Sequence, residues 1–139
     1  MIALLNPQSA RHSFRVPNST LTLGAFLEGK YDYYIIDENL DRNAGQTTAN
    51  LVKTNNIKYL GITVMPALQL HRAVDISRSL KMQFPDLKII WGGYFPSLHP
   101  STVLKSDYVD FVIKGHAEFS FGNLIDTLES KQGAKIFRK

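Results

Sequence analysis

The chain contains no cysteine. That excludes disulfides, thiolate catalysis and a cysteine-held iron–sulfur cluster within these residues. His12, His99 and His116 could meet as a metal cluster, but their spacing follows no recognised ligand pattern, and solvent-facing or substrate-facing histidines are the simpler reading. His71 falls near an expected helix start, where an imidazolium is disfavoured. Ser9, Ser97 and Ser101 lie near histidines, without the G-x-S-x-G elbow of a hydrolase. Neither the G-x-G-x-x-G of a nicotinamide-binding unit nor the G-x-x-x-x-G-K-[ST] of a P-loop is present.

The stretch with the most to say is Lys88 to Pro100. A short apolar run, Ile89-Ile90-Trp91, reaches Gly92-Gly93 and breaks into Tyr94-Phe95-Pro96-Ser97-Leu98-His99-Pro100. Such a run reads as a strand buried on both faces. Paired glycines at its end permit a positive φ or the close approach of another group. They read either as the wall of a binding site or as a tight loop with no ligand. Trp91 reads most simply as core. Glu118 has two readings as well: a carboxylate that accepts backbone N–H bonds at a helix start and fixes the Gly115 loop, or a ligand contact.

These residues need elements to position them. Ile2 to Leu5 is a strand signal closed by Asn6-Pro7, followed by a long polar loop from Gln8 to Asn18. Ser19 or Thr20 can cap a helix over about 21–28, with Leu23, Phe26 and Leu27 inward and Gly29 ending it. Tyr33 to Ile36 is a second strand, a modest helix signal covers about 46–55, and Tyr59 to Met65 is a third strand. The clearest helix runs from about 67 to 84, with Leu70, Val74, Ser77, Leu80 and Phe84 on one stripe. After the glycine-ended fourth strand come a helical turn near 101–104 and a fifth strand over Tyr108 to Ile113. A last helix over about 118–130 turns Phe121, Leu124, Ile125 and Leu128 to one side.

Five short strands alternating with helices predict an α/β domain: a three-layer, Rossmann-like (flavodoxin-like) fold with a five-stranded parallel sheet. The order 2-1-3-4-5 is a common solution for five such units. In that topology the loops after the strands share one rim. They gather Asn6, Gln8 and His12, then Asp37 to Asn39, then Thr63, Val64 and Met65, then Tyr94 to His99, and finally Lys114 to Glu118. Receiver-type phosphoacceptor chemistry needs a carboxylate after the third strand, where this chain has Thr63-Val64-Met65.

At 139 residues, 44% hydrophobic and 20% charged, the chain suits one soluble domain with a real core. No apolar run approaches the ~20 residues that span a bilayer. The opening Met1 to Pro7 has no basic leader and stops too early for a signal peptide, so a cytoplasmic location is expected. The net charge of +4 is dispersed except near Lys131 to Lys139, and outlines no nucleic-acid footprint. Residues 1–133 read as the domain and 134–139 as the start of a linker to a further domain.

The assembled pattern resembles the amino-terminal cobalamin (B12)-binding domain of B12-dependent radical S-adenosylmethionine enzymes, over nearly the whole chain. The resemblance rests on Pro17 to Leu27, on Tyr59-Leu60-Gly61-Ile62-Thr63, on Ile90 to Pro100, and above all on Ser106 to Glu118. That last stretch is similar to the family's aspartate–tyrosine–valine strand and its Gly-Glu-Gly-Glu turn. The resemblance implies the same sheet, with a corrin ring across the strand tips and its nucleotide tail descending beside the sheet. Thr63 would bond the tail, and Gly92 and Gly93 would leave room for it. Tyr94, Phe95 and Pro96 would pack on tail or ring edge, and Gly115 with Glu118 would line the far side. Asn6, Gln8, Val64, Met65 and His116 complete the expected cofactor-binding set, with no catalytic residue and no protein metal ligand.

Three departures bear on this. The cobalt-ligating histidine of an Asp-x-His-x-x-Gly loop is absent from Asn6 to Arg11, which implies a lower face without histidine. The turn reads Gly115-His116-Ala117-Glu118, with the family's first glutamate and second glycine replaced. The [4Fe-4S] cluster and S-adenosylmethionine would belong to an adjoining radical S-adenosylmethionine domain of the same polypeptide, for methyl transfer or related radical chemistry. The expected function is therefore a cobalamin-binding module of such an enzyme. The alternative is a non-catalytic domain of the same fold that has lost cobalamin and serves substrate selection or interdomain packing.

Overall fold

A computed structural model of the chain describes residues 1–13 and 15–130. The expected linker at 134–139 lies outside the described residues.

The sheet is parallel throughout, in the order β2-β1-β3-β4-β5. Its strands are β1 (Ile2–Asn6), β2 (Tyr33–Asp37), β3 (Tyr59–Thr63), β4 (Lys88–Gly92) and β5 (Phe111–Val112). Helices α1 (Asn18–Leu27) and α6 (Glu118–Ser130) cover one face. On the other lie α2 (Ala44–Asn55), α3 (Leu68–Gln83) and two short helices, α4 (Tyr94–Leu98) and α5 (Pro100–Leu104). This is the three-layer, Rossmann-like arrangement predicted from the alternation of elements.

Strand alternation divides the core in two. Ala3, Leu5, Leu60, Ile62, Ile89 and Trp91 face α2, α3 and α5, whereas Ile2, Leu4, Tyr59 and Ile90 face α1 and α6. All five residues of β1 are buried, as befits a strand covered on both faces. Trp91 is core, with its indole N–H donating to Ser77 Oγ at 3.0 Å.

Several local expectations shift. Helix α1 starts at Asn18, not Leu21, and has no side-chain cap; the Thr20 hydroxyl instead donates to the Pro17 carbonyl at 3.0 Å. Phe26, expected inside, is 47% exposed and meets Phe119 edge-on. The buried stripe of α3 is Gln69, Ala73, Ile76, Ser77 and Leu80. Leu70, Val74 and Phe84 are only half-buried, while Gln69, which was not expected inside, bonds Asn6 Oδ1 in the interior. The aromatic run after Gly93 forms helix rather than a simple turn. Strand β5 shrinks to two residues: Asp110 N–H still donates to the Ile89 carbonyl at 2.9 Å, but the Ile89 N–H is taken at 2.8 Å by the Asp110 carboxylate, which also accepts the Lys81 ammonium at 2.8 Å. Among the described residues no helix is long and apolar enough to cross a membrane.

Candidate functional site

On the α1/α6 face, register places Leu4, Gly61 and Ile90 side by side across β1, β3 and β4. One step nearer the strand tips, Thr63 pairs with Gly92. Two glycines thus remove side chains from adjacent strands on one face, and the sheet surface dips. A groove of about 290 Å³ opens there, walled by the first turns of α1 and the start of α6. Its depth is mostly apolar, with Leu4, Leu23, Ile90, Ile113 and Phe121 beside the buried Thr20, whose hydroxyl donates to the Pro17 carbonyl. Its lip is polar: Asn18, Ser19, Thr22, Thr63, His116 and Glu118.

The two glycines play different parts. A Cβ on Gly61 would stand 2.9 Å from Phe121 Cε2, so the Phe121 ring fills that dip and makes the floor. A Cβ on Gly92 would meet nothing within 4 Å, so the space above it is open. Gly93 serves the turn: φ 98° and ψ −166° lie in a region essentially restricted to glycine. A side chain there would also press on Thr63 Oγ1 and Val64 N at 3.1 Å.

The loops around the groove are tied together. Val64 N–H donates to the Gly92 carbonyl at 2.9 Å, and Phe95 N–H to the Val64 carbonyl at 3.0 Å. The Ser97 hydroxyl donates to the Gly93 carbonyl at 2.6 Å and accepts the Gly115 N–H at 2.9 Å, linking the β4 and β5 loops. Gly115 itself has φ 72°. His116 is 98% exposed, with Nδ1 4.0 Å from a Glu118 carboxylate oxygen. Glu118 occupies the first turn of α6, where a negative charge is favoured. The far ends of the two walls are fastened: Lys30 and Tyr31, just after α1, bond Asp126 on α6, and Tyr59 donates to Glu129 at 2.6 Å. Burial and the Asp126 bond push the Tyr31 phenol up to about 12. Lys30, then Tyr31, hold the Asp126 carboxyl low.

At the tips of β1 and β2 the rim is closed. Glu38, 3% exposed, accepts from Arg72 Nε at 2.8 Å, from Arg72 Nη2, and from the Gln8 N–H at 2.8 Å. That bond raises the guanidinium pKa further. Asn6 donates to Asp37 at 3.0 Å, while Gln69 donates to Asn6 Oδ1 at 3.1 Å and to the Pro7 carbonyl at 2.8 Å.

Of the residues expected to contact a cofactor, the groove therefore gathers Thr63, Gly92, Gly93, Gly115, His116 and Glu118. Asn6 and Gln8 sit in the closed network instead. Val64 is fully buried in the opposite core, Phe95 packs against that core and His99, and Pro96 is buried. Met65 and Tyr94 stand exposed at the strand tips. Sequence reasoning missed the α1 wall, Gly61 and Phe121 as groove residues. A glycine inside an apolar strand was a usable signal for Gly61, and nothing local marked Phe121. Among the described residues no group of three or more His, Asp or Glu side chains could hold a metal.

Comparison with known proteins bears on what occupies such a groove. Residues 16–125 match the B12-binding domain family, described as "B12 binding domain". The chain is 25% identical, over 138 aligned residues, to the anaerobic magnesium-protoporphyrin IX monomethyl ester cyclase of Synechocystis sp.; the match takes in 93% of this chain and 28% of that protein. Among solved structures it is similar to the radical S-adenosylmethionine methyltransferase TsrM from Kitasatospora setae, with tryptophan substrate and a SAM analog bound. There the TM-score is 0.74 at 18% identity, over 96% of this chain and 26% of that one. A LuxR-family two-component response regulator from Aurantimonas sp. shares the fold more loosely, with a TM-score of 0.55 at 8% identity over 94% of this chain and 83% of that one. The chain thus spans about a quarter of the length of the cyclase and of TsrM. With the match covering most of its length, four of the five strands and nearly all of the groove lining, the chain belongs to the B12-binding domain family.

Proposed function

We propose that the chain is the cobalamin-binding module of a longer radical S-adenosylmethionine enzyme, holding a corrinoid for methyl transfer or related radical chemistry in an adjoining domain. The observation that carries this reading is the open space above Gly92, inside a groove with an apolar floor and a hydroxyl-bearing lip. Small-molecule pockets usually measure roughly 300–1,000 Å³. A groove of about 290 Å³ suits one arm of a large cofactor rather than the whole of it. The residues present fit cobalamin on that count.

Thr63, Gly92 and Gly93 would receive the nucleotide tail, with Gly115, His116 and Glu118 along its far side. Met65 and Tyr94, exposed at the strand tips, would offer apolar surface to the ring. Val64, Phe95 and Pro96 brace that surface from behind, and Asn6 and Gln8 fix the shape of the neighbouring rim. Asn6 to Arg11 holds no histidine where the Asp-x-His-x-x-Gly motif would place one, so the lower face of the cobalt would lack that histidine. Bound cobalamin supplies a cobalt–carbon bond; this chain's residues bind it, orient it and exclude water from its tail. S-adenosylmethionine and a [4Fe-4S] cluster would belong to the adjoining domain, joined beyond a module of residues 1–133 through a linker starting at 134.

The similarity to a response regulator does not favour phosphoryl transfer, since β3 ends in Thr63-Val64 with no carboxylate. Bulky side chains filling the groove beside Gly92 would favour a domain that had lost the cofactor, but a Cβ there meets no atom within 4 Å.

Titration of the chain with hydroxocobalamin and methylcobalamin, followed by corrin absorbance, tests the proposal. A saturable change by tens of micromolar is expected. A featureless titration would refute it.

A further inference from the structure

The groove is polar at its lip and apolar in its depth, and the two zones ask different things of a ligand. In the depth, the backbone groups of Leu4, Gly61 and Ile90 lie within the parallel ladders. The side chains there are Leu4, Leu23, Ile90, Ile113, the nearly sealed ring of Phe121, and Thr20. Among the described residues no buried side-chain nitrogen or oxygen lacks a partner, so none waits in the floor to be satisfied by a ligand. A base entering this floor gains apolar contact and an aromatic neighbour. The one buried hydroxyl among the lining residues, Thr20, has its proton committed to the Pro17 carbonyl, so no side chain there donates to a ring nitrogen.

Corrinoids differ in the base that ends the nucleotide tail. Benzimidazole bases present carbon and methyl groups around most of their edge, whereas adenine bases carry several ring nitrogens and an amino group. Polar groups buried without partners are penalised. We infer that the groove selects among corrinoids by their lower base, accepting a dimethylbenzimidazole in preference to an adenine. Phe121 and Leu23 are the residues that set the preference. Gly61 is what admits the Phe121 ring to the floor. The hydroxyls of Ser19, Thr22 and Thr63 at the lip suit the sugar and phosphate that every complete tail shares, so they add affinity without discriminating. An apolar pocket rejects an added polar group only moderately, and discrimination of about 10- to 100-fold is expected.

This inference rests on placement of the tail in the groove. Equilibrium dialysis of the full chain against cobalamin, its adenine-based analogue and tail-less cobinamide, each quantified by corrin absorbance, tests it. Cobalamin should bind at least about tenfold more tightly than the adenine analogue, and more tightly than cobinamide. Leu23→Gln puts an amide on a half-buried helical wall position and should shrink the ratio between the two complete corrinoids. Equal affinities for those two, or a ratio unmoved in a folded Leu23→Gln variant, would overturn base selection while leaving corrinoid binding in place. Cobinamide binding as tightly as cobalamin would overturn it too. Failure of all three to bind would overturn the proposed function along with it.

Discussion

Around the tips of β1 and β2 the side chains of Asn6, Asp37, Glu38, Gln69 and Arg72 bond one another. Around the tips of β3 and β4 the side chains are withheld. Both regions belong to one rim of one sheet. The first is a satisfied polar network that clamps the β1, β2 and β3 loops to the start of α3, and buried networks of that kind are rigid when every member is paired. The second forgoes packing: a glycine in a strand gives up side-chain burial worth about 1.5–3 kcal/mol and carries a backbone penalty of roughly 0.5–1 kcal/mol. The difference teaches that the hollow is framed by its rigid neighbour. The clamp holds the tip of β3 from one side, and the Ser97 hydroxyl links the β4 and β5 loops from the other.

The largest expected effect comes from breaking the clamp. Arg72→Met strands the Glu38 carboxylate, which is 3% exposed, and should lower stability by about 3 kcal/mol in urea unfolding. That is the low end for a stranded buried charge, because the Arg72 side chain is 35% exposed and water can enter in its place. Gly93→Ala attacks the hollow's own turn. Its φ of 98° and the 3.1 Å approach to Val64 N predict a loss of about 2 kcal/mol. Equal, negligible losses in both variants would erase the distinction between framed and framing regions.

The smallest effect concerns the far ends of the groove walls. The Tyr31 phenol, raised from 10.0 to about 12 by burial and Asp126, keeps its proton longer in the folded chain than in the unfolded one. Its contribution is therefore complete below pH 10 and is lost as pH rises from 10 towards about 12. Asp126 behaves oppositely: its lowered pKa gives a contribution present above the ordinary 3.8 and lost as pH falls below it. Thermal midpoints between pH 9 and 12 should fall less steeply in Tyr31→Phe than in the parent chain. Parallel curves would show that this fastening is immaterial.

How much of this was legible beforehand follows from the range over which each signal acts. The strands and the glycine-ended β4 were readable because apolar runs, turn residues and strand–helix alternation are local; their order was not, and was expected only as a common solution that the family resemblance strengthened. The thinning of side chains at Gly92 and Gly93 was readable for the same reason. The clamp was not, since Glu38 meets Arg72 across 34 residues and Asn6 meets Gln69 across 63. The rotation of α3 was hidden likewise, since it turns inward the polar Gln69, which bonds Asn6 and the Pro7 carbonyl far away in the chain. The length of β5 was misread because Tyr108 to Ile113 has strand-like residues, while the Ile89 N–H goes to the Asp110 carboxylate instead of a backbone carbonyl. The α1 wall went unnoticed because its polar Asn18-Ser19-Thr20 start looks like any helix beginning.

The account turns on whether the empty space over Gly92 is where a corrinoid's tail goes. Gly92→Val adds a side chain that meets no atom at its Cβ and suits a strand, so the fold should persist. Paired hydroxocobalamin titrations of the parent and Gly92→Val chains decide the matter. Saturation in the parent, with at least a tenfold weakening in the variant (about 1.4 kcal/mol), is predicted. Equal affinity in the two chains would contradict it.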